Sequence, residues 1–187
     1  MFRVAGINPW LSIWFSPRST IRILVTASPN YGVFFLAVVF ALQNFIFHSQ
    51  YWFLEIEALA VGVILTPVMG FLWLYATSTL FYYTGKLFHG SASLLHLRTV
   101  VGWSKLPALI GIPFAYLSGN HFIGQAIQFV SHGALFILSF WSFVILVQGL
   151  REVQQFSLLS SVCNVLIVWA ITFLAVSLLF RIVFLIH

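Results

Sequence analysis

The sequence predicts an all-α fold, a polytopic helical bundle held in a membrane. Three observations predict it. Of 187 residues, 61% are hydrophobic and only 6% are charged, against roughly a quarter charged in an average soluble domain. The apolar runs are continuous, as from Leu158 to Phe180, where lipid-facing β-strands would alternate polar and apolar positions. Five such runs approach or exceed the about 20 residues that a spanning helix needs. The chain reads as one domain, 1–187, with 1–30 an interfacial segment and 31–187 a five-span bundle.

The chain opens with Asn8 to Arg22, NPWLSIWFSPRSTIR. Asn8-Pro9 and Ser16-Pro17 each pair an N-cap type with a proline, the favoured start of a helix. Two short amphipathic helices follow, the second ending at Ser28-Pro29. In it Arg18 and Arg22 share a face, opposite Ile21, Leu24 and Val25. Trp10, Trp14 and Phe15 suit the headgroup zone. Both helices are therefore expected to lie on the membrane surface, apolar side down, with the arginines toward anionic lipid. The alternative is packing against the ends of the bundle. Pro9 and Pro17 interrupt the only stretch that could serve as a signal peptide, so none is expected.

The spans are expected at about Tyr31–Phe47, Ile56–Tyr83, Thr99–Leu117, Phe129–Leu150 and Leu158–Phe180. Pro67 should kink the second, and Pro107, Gly111 and Pro113 the third, because proline removes a helix donor and clashes with the preceding turn. Leu94–Val101 reads alternatively as an interfacial helix leading into span three. Ala58, Gly62, Thr66 and Gly70 form a stripe of small residues that lets a second helix approach closely, either within the chain or in a dimer.

With the N-terminus inside, Arg3, Arg18, Arg22, Lys86, Arg98, Lys105 and Arg151 fall on the cytoplasmic side and only Arg181 falls outside. This is the positive-inside pattern, and it puts the C-terminus on the opposite side. Eight scattered basic residues are too few for a phosphate-tracking surface, so no nucleic acid is expected. Arg18, Arg22, Lys86, Arg98, Lys105, Arg151 and Glu152 are the candidate cytoplasmic site, for lipid phosphate or an acidic partner. Glu152, the one acidic residue on that side, is expected to pair with Lys105 or Arg98. The alternative is that the cations are plain inside-flank anchors.

His48, His121 and His132 fall on the outer side as weak metal candidates without diagnostic spacing, so no metal or other cofactor is expected. Enzyme chemistry finds no support. The chain has no Asp and no Gly-x-Ser-x-Gly elbow, and no Walker pattern. Cys163 lies mid-span, where a thiol stays inert.

Three stretches together carry a family resemblance. NPWLSIWFSPRSTIR resembles the start of prokaryotic members of the Yip-domain family. GKLFHGSASLLHLRTVVGWSKLPALIG (Gly85 to Gly111) resembles that family's segment between spans two and three. WSFVILVQGLREVQQFS (Trp141 to Ser157) resembles its fourth span and the turn after it. Their order and spacing cover about Asn8 to Phe180. The resemblance implies five spans with a cytoplasmic N-terminus, in the inner membrane if the source is bacterial. Eukaryotic members bind prenylated Rab GTPases and one another. This chain lacks their long polar N-terminal region and their Asp-Leu-Tyr-Gly-Pro motif, for which Leu65-Thr66-Pro67 is the nearest match. Both departures argue against a Rab-type partner.

The function these readings favour is a non-enzymatic membrane scaffold or adaptor. It would engage lipids or other membrane proteins at its cytoplasmic face, in membrane organisation or trafficking, with a homo-oligomer among the expected partners. The alternative is a transporter or channel acting as an oligomer, suggested by the broken helices.

Overall fold

The computed structural model describes residues 4–49, 56–120 and 123–185. Among them are eight helices and no strand beyond one isolated bridge, Val4 with Ile7. The helices are α1 (Pro9–Phe15), α2 (Pro17–Ala27), α3 (Val33–Ser49), α4 (Ile56–Leu87), α5 (Leu94–Trp103), α6 (Pro107–Gly119), α7 (Gln125–Gln154) and α8 (Leu158–Leu185).

Both opening helices start where the Asx/Ser-Pro pairs place them. The Asn8 side chain accepts the Trp10 backbone N–H at 3.1 Å. The reading of α2 as a helix lying on lipid is corrected. Ile21 and Leu24 are fully buried by protein, because α2 packs against α5 and α7. Withdrawing each side chain from water contributes about 2 kcal/mol. Trp10 likewise turns inward. Its Nε1–H donates to the Tyr31 hydroxyl at 3.1 Å, and its ring lies 5.0 Å from that of Trp103. In α1, Leu11 and Phe15 stay exposed.

Three helices, α4, α7 and α8, are long and apolar enough to cross a membrane. The α5–α6 pair makes a fourth if read as one span bent by 45°. At 17 residues, α3 is shorter. Its length is about 25 Å at 1.5 Å per residue, against about 30 Å of hydrocarbon. The molecule is thus an all-helical, multi-pass membrane bundle.

Span three, expected as one helix from Thr99, is two. Leu94 starts its own helix under a Ser93 cap whose hydroxyl accepts the His96 N–H. The junction at Ser104–Leu106 carries the bend. Pro107 has no N–H to give to Trp103, so Leu106 bonds that carbonyl instead and the ladder shortens to i→i−3 steps. Pro113 lies inside α6 and Pro67 inside α4, and both helices run on unbroken through them.

The packed core gathers at one end of the bundle. Val33, Leu36, Leu74, Phe81, Val100, Trp103, Ile145, Leu150 and Val165 are all fully buried. The other halves of α4, α7 and α8 expose large side chains, Phe129 at 81% among them. Exposed apolar surface on this scale is untenable in water and suited to lipid. Within the core, small residues set helix spacing. The Phe45 ring fills the space beside Gly62, and Thr66 turns its hydroxyl onto the Val63 carbonyl at 2.7 Å. A Cβ at Gly70 would meet the Ala37 carbonyl oxygen at 2.8 Å. The stripe therefore joins α4 to α3 inside the molecule.

A branched residue at Gly70 has only backbone to push against. Gly70→Val should destabilise the fold by about 1–3 kcal/mol, read as a lower unfolding midpoint in detergent. Gly133 has nothing within 4 Å, so Gly133→Ala should leave the midpoint unchanged or raise it, helix propensity favouring alanine.

Candidate functional site

The seven residues of the sequence-derived site separate into two groups. Glu152 lies in the last turn of α7, and its side chain is only 8% exposed. Arg18 and Arg22, one turn apart on α2, both reach it. Arg18 Nε donates to Oε2 at 2.7 Å, while Arg22 donates Nε–H to Oε1 and Nη2–H to Oε2. Glu152 hydrogen bonding raises the Arg22 pKa further above its ordinary value, so that charge is permanent. The expected pairing of Glu152 with Lys105 or Arg98 is thereby corrected. The fixed guanidinium forks of α2 meet a carboxylate from two sides, geometry that suits arginine. Arg151 joins the margin of this group, donating Nη1–H to Gln148 Oε1 at 3.1 Å.

The other three cations rest on aromatic rings. Lys86 Nζ lies 4.3 Å from the Tyr82 centroid, and the Arg98 guanidinium lies 4.3 Å from that of Tyr75. Lys105 Nζ lies 4.5 Å from Phe40 and 5.2 Å from Trp73. None of these three shares the arginine–glutamate group. The cluster inferred from charge alone is therefore one carboxylate-centred knot plus separate cation–π contacts.

The arginines keep open faces. Their side chains are 46% and 61% exposed. Beside them lies a concavity of about 420 Å³, lined by Ser16, Arg18, Ser19, Arg22, Trp141 and Gln148 among others. The Trp141 indole N–H finds no acceptor in the described residues, and neither does Arg151 Nε–H. Two arginines against one carboxylate leave this surface net positive.

Several residues that organise the site carry no charge and escaped the sequence reading. The Gln154 amide donates to the Phe81 carbonyl at 3.2 Å and accepts the Ala92 N–H at 3.3 Å. Its side chain occupies the room left by Gly85 and Gly90. Thr99 Oγ1 donates to the Pro29 carbonyl at 2.6 Å, and Trp103 Nε1 to that of Tyr31 at 2.9 Å. The paired glycines around a buried helix end were the available signal, but nothing in the sequence says which polar side chain fills the space. His89 takes the left-handed turn at φ 60° that closes α4.

On the far side, His48 and His132 each hydrogen-bond their own helix, to the Asn44 and Gln128 carbonyls at 2.8 Å. His121 lies outside the described residues. Among the described residues, no three His, Cys, Asp or Glu side chains gather as metal ligands would.

Comparison with curated proteins and with solved structures returned no significant match. The family model for the Yip1 domain matches residues 11–179. That stretch holds Arg18, Arg22, Trp103 and Glu152, whose side chains join the N-terminal segment to the bundle, and Gln154, which ties α4 to the approach to α5. The chain belongs to the Yip1-domain family.

Proposed function

We propose that the protein is a non-enzymatic membrane scaffold whose arginine-bearing end engages anionic lipid headgroups, and through that surface or beside it other membrane proteins. One observation carries this reading. Two permanently charged side chains stay half-exposed around a concavity of about 420 Å³. The Gln148 amide adds a neutral donor there, while the Ser16 and Ser19 hydroxyls donate back to the Ser12 and Ser16 carbonyls and keep only acceptor capacity. Phosphate esters are the acceptors that such a set fits. A Rab-type partner and a cofactor form no part of the proposal.

The same reading takes the bundle as five spans, with α3 and the bent α5–α6 pair as spans one and three. Local thinning of the bilayer would accommodate the short α3. Seven of the eight basic residues then lie on the cytoplasmic side. Transport has less support, since the cavity beside Lys105 measures only about 160 Å³.

The charge logic gives opposite signs for two variants. Glu152→Gln should lower the unfolding midpoint by several degrees yet keep or increase retained phosphatidylglycerol in native mass spectrometry, because net positive charge rises. Arg18→Gln with Arg22→Gln should lower retained phosphatidylglycerol about tenfold or more, at about 1 kcal/mol per basic residue near a surface. Lipid loss that merely follows stability in both variants removes the proposal.

Orientation has its own test, on a Cys163→Ala background. With single cysteines from Gly124→Cys and Ser157→Cys, an impermeant thiol reagent applied outside intact cells should label the first and spare the second. The reverse pattern, or equal labelling, contradicts the assigned sidedness.

A further inference from the structure

A second polar site lies deeper in the bundle, away from the arginines. At the α5–α6 junction Lys105 borders a cavity of about 160 Å³ between α3, α6, α7 and α8, which Gln43, Ser139 and Ser142 also line. Gly111 makes it possible, because a Cβ there would collide with the Gln43 amide. The volume is several times the about 30 Å³ share of one water.

The cavity offers donors and neutral acceptors but no negative charge. An ammonium brings three donors and no acceptor, an amide two donors and a carbonyl acceptor, and each serine hydroxyl one donor and an acceptor oxygen. Among the described residues, no carboxylate reaches Lys105. Glu152 is engaged by Arg18 and Arg22. Glu57 is the second residue of α4, sixteen residues before Trp73, or about 24 Å along the helix axis. Nor do the Gln43, Ser139 and Ser142 side chains hydrogen-bond to any described residue, although serines elsewhere in these helices bond back to their own backbone. Phe40 and Trp73 offer the ammonium only their ring faces. A cation at membrane depth with no counter-charge beside it is an electrostatic deficit.

We propose that this cavity is a binding site for a phosphate oxyanion. Lys105 is its charge partner, and Gln43, Ser139 and Ser142 supply neutral donors. Two sources offer that chemistry. A solute anion would enter along the adjoining concavity of about 200 Å³, which shares Gln43 and Ser139 and continues to Asn44 and His48. A lipid headgroup would place its phosphate at Lys105 and a chain in the apolar groove of about 570 Å³ between α3 and α4, which shares Phe40 and Trp73. The site is distinct from the arginine concavity.

The test uses the full chain in phosphatidylcholine nanodiscs. In one arm inorganic phosphate is titrated against sulfate-free chloride of matched ionic strength, read by tryptophan fluorescence, Trp73 and Trp169 lying at the site. In the other, the nanodiscs carry phosphatidylglycerol and native mass spectrometry counts retained lipid. Both arms are run on an Arg18→Gln with Arg22→Gln background, so that the arginine concavity does not contribute; binding that remains there and falls about tenfold or more on adding Lys105→Gln, as loss of a charged hydrogen-bond partner demands, supports the site. Which arm responds names the source. Ser139→Ala with Ser142→Ala removes donors without removing charge and should weaken binding several-fold, which covers the case of a Lys105 variant that fails to fold. No binding in either arm overturns the inference. So does binding undiminished by the Lys105 or serine variants, or binding lost only with the arginines, an outcome that would leave the scaffold proposal standing.

Discussion

The fold turns on one buried carboxylate. Glu152 is 8% exposed, and a charge so placed is tolerated only with close, hydrogen-bonded counter-charges. Both come from α2, more than a hundred residues earlier in the chain. The consequence is largest for the N-terminal segment. Helices of 7 and 11 residues are too short to persist alone in water. They hold their shape because Ile13, Ile21 and Leu24 bury into the bundle end and because the arginines admit one register against α7. Two residues beyond Glu152, Gln154 binds the end of α4 and the approach to α5. The last turn of α7 thus gathers the N-terminal helices, α4 and α5 onto one point.

This arrangement divides the molecule into two mechanical halves. At the knotted end, large side chains are fully buried and glycines admit close approach, Gly102 to the Val33 backbone and side chain and Gly149 to the Val100 side chain. At the other end the helices present phenylalanine, leucine and isoleucine outward. Lipid removes the penalty for that exposure but also the hydrophobic drive to close it.

Much of the architecture was legible in the sequence. Continuous apolar runs, the Asn8-Pro9 and Ser16-Pro17 starts, and the stripe through Gly62 and Gly70 each act locally, through propensity and periodicity. The separate start of α5 under Ser93 was not legible. Pairing was not legible. Arg98 and Lys105 lie seven apart and looked like natural partners for Glu152, while Arg18 and Arg22 looked like lipid anchors. Which cation reaches a carboxylate depends on how α2 docks, a property of three-dimensional packing that one-dimensional spacing does not contain. Gln43, Ser139, Ser142 and Gln154 were missed for a related reason. An uncharged polar residue in a membrane helix shows its role only through what stands opposite.

The three stretches that carried the family resemblance are one another's partners. The first supplies Trp10, Arg18 and Arg22. The second supplies Trp103, which packs on Trp10, and the Gly85 and Gly90 gaps. The third supplies Glu152 and Gln154, which fill those needs. Such motifs describe how the knot is tied, so membership in the Yip1-domain family by itself speaks to architecture more than to ligand. Ligand chemistry must be sought in what the knot leaves unspent. Two places qualify, the outward faces of Arg18 and Arg22 and the cavity at Lys105. Both are cationic, both have neutral donors beside them, and neither has a carboxylate to spare. A chain with eight basic and three acidic residues, which commits its one acidic group at this end to holding the fold, leaves its remaining positive charge to be met by something other than itself.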